Sequence, residues 1–91
     1  MKIIFVKKIL ADGSPCKKCL EVQEKMEAAD QLKFIDEITV INESDPNSEG
    51  MLLAKKYKVN RAPFFIVEKD SGEVVVYTVY FKLVKEILNH L

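Results

Sequence analysis

Two cysteines, Cys16 and Cys19, are the residues of this sequence best suited to chemistry, because a thiol can act as a nucleophile, a redox group or a metal ligand. Two residues separate them, so on a helix their sulfurs lie one turn apart, where a disulfide can close with little backbone movement. Ser14 and Pro15 precede the pair and have the residue types of a helix N-cap and a first helical position. The pattern predicts a helix that begins at the cysteines, with both the dithiol and the disulfide state accessible.

The two thiols have different expected roles. Cys16 would lie in the first turn, where unpaired backbone N–H groups and the helix dipole favour an anion, so we expect it to be the nucleophile. Lys17 and Lys18 add positive potential, and together these effects predict a Cys16 thiolate pKa below the free value of ~8.5. Cys19, one turn deeper, would resolve the mixed disulfide that Cys16 forms.

A single CxxC motif also fits other functions. The same spacing supplies half of many zinc sites, but the chain offers only two cysteines and His90, so a closed site would need carboxylates or a second subunit. A metal or metal-cluster carrier that uses the pair across a dimer is therefore one alternative. Another is a non-catalytic interaction module whose cysteines form only a redox-sensitive disulfide.

Apolar patterning along the rest of the chain predicts alternating strands and helices. Runs of β-branched and aromatic residues indicate strands, and apolar residues at spacings near 3.6 indicate amphipathic helices. In chain order, the predicted elements are a strand at 3–6, a helix from the cysteines to about Asp30, a strand at 34–41, a helix at 51–57, strands at 64–67 and 74–79, and a terminal helix at 83–91. Residues 7–14 would connect the first strand to the first helix.

This order, βαβαββα, predicts a single α/β domain that spans residues 1–91. The first two strands, joined through a helix, should be parallel by a right-handed crossover, and the last two should form an antiparallel hairpin. The expected architecture is a mixed four-stranded sheet with helices on both faces.

Composition limits the partners. Lysine plus arginine and aspartate plus glutamate number 14 each, so the formal net charge is zero and a nucleic-acid partner is not expected. No apolar run approaches the roughly 20 residues that span a bilayer, so no membrane partner is expected either. Lys7 and Lys8 interrupt the apolar N-terminus and no small-residue cleavage site follows, which favours a cytoplasmic location. We further expect a monomer.

Two segments carry a family resemblance: residues 14–19, with the sequence SPCKKC, and residues 54–67, with the sequence AKKYKVNRAPFFIV. Together they resemble the thioredoxin superfamily, and in particular its small thioredoxin-like and glutaredoxin-like members. The resemblance implies a thioredoxin fold in which the Ala62–Pro63 bond is cis and lies beside the cysteine pair. The backbone N–H and C=O of Ala62 would then pair with a substrate in the manner of a strand.

The resemblance also implies a function, a thiol–disulfide oxidoreductase that acts on protein or small-molecule disulfides. Cys16 and Cys19 would be catalytic, Ala62 and Pro63 would bind substrate, and no metal or organic cofactor would be needed. A reductase that the sequence does not identify would restore the dithiol. The chain lacks the Gly-Gly pair and following acid that glutaredoxins use toward glutathione, so glutathione is not an expected ligand.

Overall fold

The computed structural model describes all residues, 1–91, and contains one four-stranded sheet and three α-helices. The elements are β1 (Lys2–Ile9), α1 (Lys17–Ala28), β2 (Glu37–Asn42), α2 (Glu49–Tyr57), β3 (Phe64–Glu68), β4 (Val74–Tyr77) and α3 (Tyr80–Glu86), with short 3₁₀ turns at Leu32–Phe34 and Leu88–His90. The predicted α/β class and the order βαβαββα are confirmed.

The sheet is mixed, with the strand order β2-β1-β3-β4. β1 and β2 are parallel, as expected for strands joined through a helix, and β3 and β4 form the predicted antiparallel hairpin. β1 also pairs with β3 in antiparallel fashion. β1 and β3 are therefore the central strands, which explains why their sequences are the most continuously apolar.

Alternation along the central strands divides the core between the two faces of the sheet. One face, covered by α1 and α3, holds a cluster of 10 buried residues: Ile3, Phe5, Val22, Met26, Phe65, Val67, Tyr77, Leu83, Ile87 and Leu88. The opposite face, covered by α2, holds a cluster of six buried residues: Ile4, Val6, Ile41, Ala54, Phe64 and Ile66. We call these the α1 face and the α2 face.

Gly50 sets how closely α2 approaches the sheet. A Cβ atom at this position would overlap the carbonyl group of Val40 and the amide nitrogen of Ile41 in β2. The overlap is with backbone, which cannot move aside as a flexible side chain can. Only glycine therefore permits this helix to lie directly on the edge strand of the sheet.

Several predicted bounds were wrong. β2 begins at Glu37 rather than at residue 34, because Leu32–Phe34 forms a 3₁₀ turn and the Asp36 carboxylate then accepts the N–H of Ile3 at 2.8 Å. β1 runs on to Ile9, so Lys7 and Lys8 lie in the strand and not in the connection. β4 ends at Tyr77, and α3 begins at Tyr80 and gives way to a 3₁₀ turn before the C-terminus. None of the helices has both the length and the apolar character needed to cross a membrane.

Candidate functional site

A tight turn after β1 places the cysteine motif. The N–H of Leu10 donates to the carbonyl oxygen of Ser14 at 2.8 Å, and Gly13 supplies the positive φ of 87° that the turn needs. The Asp12 carboxylate accepts both the N–H of Ser14, at 2.9 Å, and its hydroxyl. The prediction that Ser14 is the N-cap was therefore wrong, because its polar groups are engaged in this turn.

The chain then runs back beside the end of β1. Pro15 forms an isolated antiparallel bridge with Ile9, and the N–H of Cys16 donates to the carbonyl oxygen of Lys8 at 3.1 Å. Pro15 is thus extended and is not the first helical residue, since α1 begins at Lys17. The helix starts two residues later than the Ser-Pro pattern predicts.

Cys16 itself occupies the N-cap of α1. Its backbone is extended, with φ −64° and ψ 126°, and its sulfur accepts the N–H of Cys19 at 3.3 Å. The sulfur therefore takes the position that a Ser or Asp oxygen occupies at an ordinary N-cap, at the positive end of the helix dipole. The residue is half-buried, so it lies at the surface of the protein and not in the sealed core.

Cys19 lies in a different environment from Cys16. It is only 3% exposed and points toward the α1 face of the sheet, and both cysteines are free thiols in this structure. The pKa of the Cys19 thiol is raised to about 12. Burial is the largest cause, and the hydrogen bond to Cys16 is the next largest. Cys19 is consequently a protonated thiol at neutral pH, held within hydrogen-bonding distance of its partner.

Lys7 faces Cys19 from the sheet. Side chains alternate along β1, so Lys7 shares the α1 face with Phe5, and it lines a small cavity of about 150 Å³ together with Cys19. Lys7 is half-buried and takes part in none of the ion pairs of the chain. Its positive charge acts to lower the pKa of Cys19, against the larger effect of burial.

Lys7 was missed as a site residue. The sequence offered a signal in the alternation of Ile3 and Phe5, which continues to Lys7 once β1 is extended past residue 6. Lys17 and Lys18, which were predicted to tune Cys16, are both exposed, and the Nζ of Lys18 lies 3.9 Å from the carboxylate of Glu21.

The Ala62–Pro63 segment precedes β3 and has the cis peptide bond expected from the sequence. Pro63 is buried, whereas Ala62 is half-buried. Neither the N–H nor the carbonyl oxygen of Ala62 has a hydrogen-bond partner within the chain. These two backbone groups are therefore available to a bound molecule.

The register of the sheet places this segment and the cysteines at the same end of β1. Phe64, which follows Pro63, pairs with Val6, and the N–H of Cys16 bonds to Lys8, two positions further along the strand. Two strand residues span roughly 7 Å. The start of α1 and the start of β3 thus lie close together at the same end of the sheet.

A groove of about 340 Å³ lies between these two segments and the start of α3. Lys18, Val22 and Lys25 line it from one face of α1, and Ala62 and Pro63 line it from the β3 side. The structure therefore brings the predicted residues Lys18, Ala62 and Pro63 to one surface.

No cluster of three or more histidine, cysteine, aspartate or glutamate side chains is arranged to hold a metal ion. The only histidine, His90, lies in the C-terminal 3₁₀ turn.

Comparison with known proteins gives no match to a family model, to a curated protein or to a solved structure.

Proposed function

We propose that this protein is a thiol–disulfide oxidoreductase with a thioredoxin-like fold, in which Cys16 is the nucleophile and Cys19 the resolving cysteine. The fold proposal rests on the element order, the strand order β2-β1-β3-β4, the CxxC motif at the start of α1 and the Ala62–Pro63 segment before β3. The resemblance noted in the sequence involves the same segments.

One observation carries the functional proposal, and it is the asymmetry of the cysteine pair. The Cys16 sulfur is the N-cap of α1 and is half-buried, whereas Cys19 is 3% exposed and donates its N–H to that sulfur. A pair that merely packed would have no reason to place one sulfur at a helix N-terminus and the other directly beneath it. Exchange chemistry requires both features, since one thiolate must meet the substrate and the other must reach only its partner.

In the first step the Cys16 thiolate attacks one sulfur of the substrate disulfide. A bond forms between Cys16 and that sulfur, the substrate S–S bond breaks, and the other substrate sulfur leaves as a thiolate. The N–H of Cys19 and the helix dipole stabilise the attacking anion before the reaction. The unpaired backbone groups of Ala62 hold the substrate chain beside it.

In the second step Cys19 loses its proton and attacks the Cys16 sulfur. The Cys16–Cys19 disulfide forms, the mixed disulfide breaks, and the second substrate thiolate departs. The proton from Cys19 passes to a departing thiolate or to water, so the substrate gains two electrons and becomes a dithiol while the protein becomes a disulfide. Burial raises the pKa of the Cys19 thiol and so opposes this deprotonation, whereas the positive charge of Lys7 beside it assists the deprotonation.

No organic cofactor or metal takes part in either step. A second dithiol, or a reductase that supplies one, must reduce the Cys16–Cys19 disulfide after each turnover. The energetic requirement is small, because exchange conserves the number of S–S bonds.

The test is reduction of a disulfide-containing protein with dithiothreitol as the final reductant. Cys16→Ser should remove catalysis, since it deletes the attacking sulfur. Cys19→Ser should instead accumulate a mixed disulfide with the substrate, visible by mass on a non-reducing gel. Circular dichroism of both variants checks that they fold, and an unchanged rate in Cys16→Ser would remove the proposed mechanism.

A further inference from the structure

The groove beside the cysteine motif has a one-sided charge distribution. Three cationic side chains line it, Lys18, Lys25 and Arg61, and no carboxylate does. The whole chain has equal numbers of acidic and basic residues, so this local excess is not a reflection of composition. It makes the groove a region of positive potential in a protein whose formal net charge is zero.

These cations are exposed and have few ion-pair partners within the chain, so they are available to a ligand. Lys25 and Arg61 are exposed and form no ion pair within the chain. Lys18 has only one acidic neighbour, Glu21, at 3.9 Å, and both side chains are more than half exposed. The groove therefore lacks the internal counter-charges that normally accompany clustered cations, and an anionic partner would supply them.

The other features of the groove suit a peptide better than a small anion. Val79 and Phe81 line the groove from the start of α3 and are 51% and 72% exposed, so they offer apolar contact area. Ala62 adds an unpaired N–H and carbonyl oxygen, which match the spacing of a peptide backbone. A simple anion would use the cations alone.

We infer that the groove binds an acidic peptide segment next to the substrate disulfide, so that the preferred substrates are proteins whose reactive cystine is flanked by aspartate or glutamate. This inference rests on the proposed function and names its substrate class. The acidic side chains face Lys18, Lys25 and Arg61, and the peptide backbone pairs with Ala62. The exchange step is the one described above, with this peptide providing the disulfide.

The experiment compares three synthetic peptides that carry the same intramolecular disulfide, flanked by glutamate, by glutamine or by lysine. Reduced protein is mixed with each peptide, and alkylation followed by mass spectrometry gives the initial rate of Cys16–Cys19 disulfide formation. The rates are measured at low and at high salt. The test variant is Lys25→Gln/Arg61→Gln, and the matched control is Lys55→Gln/Lys56→Gln, which removes the same charge from exposed positions of α2 outside the groove.

At low salt the wild-type protein should reduce the glutamate peptide roughly tenfold faster than the glutamine peptide and faster still than the lysine peptide, an advantage within the range of electrostatic steering. High salt and the Lys25→Gln/Arg61→Gln variant should each bring the ratio between the glutamate and glutamine peptides close to one. The control variant should keep most of the wild-type ratio.

Two results overturn the inference, and they are distinguishable. Equal rates for all three peptides, or the same loss of preference in both double variants, would refute the acidic substrate class and leave the oxidoreductase proposal intact. No reaction with any peptide, under conditions where dithiothreitol reduces all of them, would refute the proposed function and the substrate class with it.

Discussion

The two faces of the sheet are built differently. The α1 face has the larger core, with Phe5 and Phe65 stacked at a centroid distance of 5.0 Å, and it carries Cys19 and Lys7 at its edge. The α2 face has a smaller core, in which Phe64 is the one aromatic residue, and there the helix approaches the sheet closely at Gly50.

The difference separates the cysteines of the proposed exchange site from the part of the molecule that mainly contributes stability. Val22 and Met26 of α1 belong to the core of the α1 face, so packing fixes the helix whose N-terminus carries the Cys16 sulfur. Neither cysteine lies on the α2 face, although Ala62 of the proposed site packs against its cluster, and this face contributes mainly by holding α2 close to β2. Substitutions on the α2 face should therefore change the free energy of unfolding, and substitutions beside Cys19 should change the exchange rate.

The largest expected effect is that of Gly50→Ala on the α2 face. In a helix this change is ordinarily stabilising by roughly 0.5–1 kcal/mol, because alanine has the higher helix propensity. Here the new Cβ would overlap the backbone of β2, so we expect a loss of about 1–3 kcal/mol in the free energy of unfolding, measured by urea denaturation.

Leu52→Ala, at a position of the same helix that is 51% exposed, is the control and should change stability little. The exchange rate of the folded Gly50→Ala variant should remain near that of the wild type. A stabilised Gly50→Ala protein would contradict the close backbone approach, and a slow but stable one would contradict the division between the faces.

A smaller effect of opposite sign is expected at Thr39, also on the α2 face. Thr39 is 3% exposed, and its hydroxyl has no hydrogen-bond partner. Thr39→Val removes that unsatisfied group while it keeps the shape of the side chain, so the free energy of unfolding should rise by about 1 kcal/mol. Thr39→Ser keeps the hydroxyl and loses a methyl group, so it should be destabilised. If Thr39→Val proves less stable than the wild type, the hydroxyl has a partner.

The smallest effect is expected at Lys7, on the α1 face. Lys7→Met removes the charge that opposes the raised pKa of the Cys19 thiol, so a smaller fraction of Cys19 is thiolate at any pH below that pKa. Resolution of the mixed disulfide should slow roughly three- to fivefold, as followed by rapid acid quenching and mass spectrometry. In both proteins the rate should rise with pH, since deprotonation creates the nucleophile and burial holds the pKa of the Cys19 thiol above its ordinary value.

Lys8→Met is the matched control for this change. Lys8 is the next residue of β1, and its side chain pairs with Glu43 at 3.0 Å on the opposite face. Its removal should leave the resolution rate unchanged. Equal slowing in the two variants would mean that Lys7 acts through general charge and not through its position beside Cys19.

The sequence predicted the order of elements because apolar runs and helical periodicity are local signals. β3, β4 and α2 were predicted for this reason, although β4 ends two residues earlier and α2 begins two residues earlier than predicted. The N-cap of α1 was predicted at Ser14 and lies at Cys16, because Asp12 competes for Ser14, and the sequence does not say which of two local hydrogen-bonding patterns prevails. The role of Gly50 was not predictable, because it depends on how close two distant segments come.

The candidate site was predicted only in part. Cys16, Cys19, Ala62 and Pro63 were identified from spacing and resemblance. The N-cap position of the Cys16 sulfur, the cavity shared by Lys7 and Cys19, and the placing of Arg61 in a cationic groove depend on tertiary structure. No local pattern in the sequence carries that information.

The redox equilibrium of the cysteine pair tests most directly whether Cys16 and Cys19 can exchange electrons as proposed. The purified protein is equilibrated with dithiothreitol buffers of graded oxidation, and free thiols are alkylated and counted by mass spectrometry. We expect a single two-electron transition between a dithiol and an intramolecular disulfide, which is lost in both Cys16→Ser and Cys19→Ser. Two thiols that stay reduced across the whole range, or that pair only between separate molecules, would contradict it.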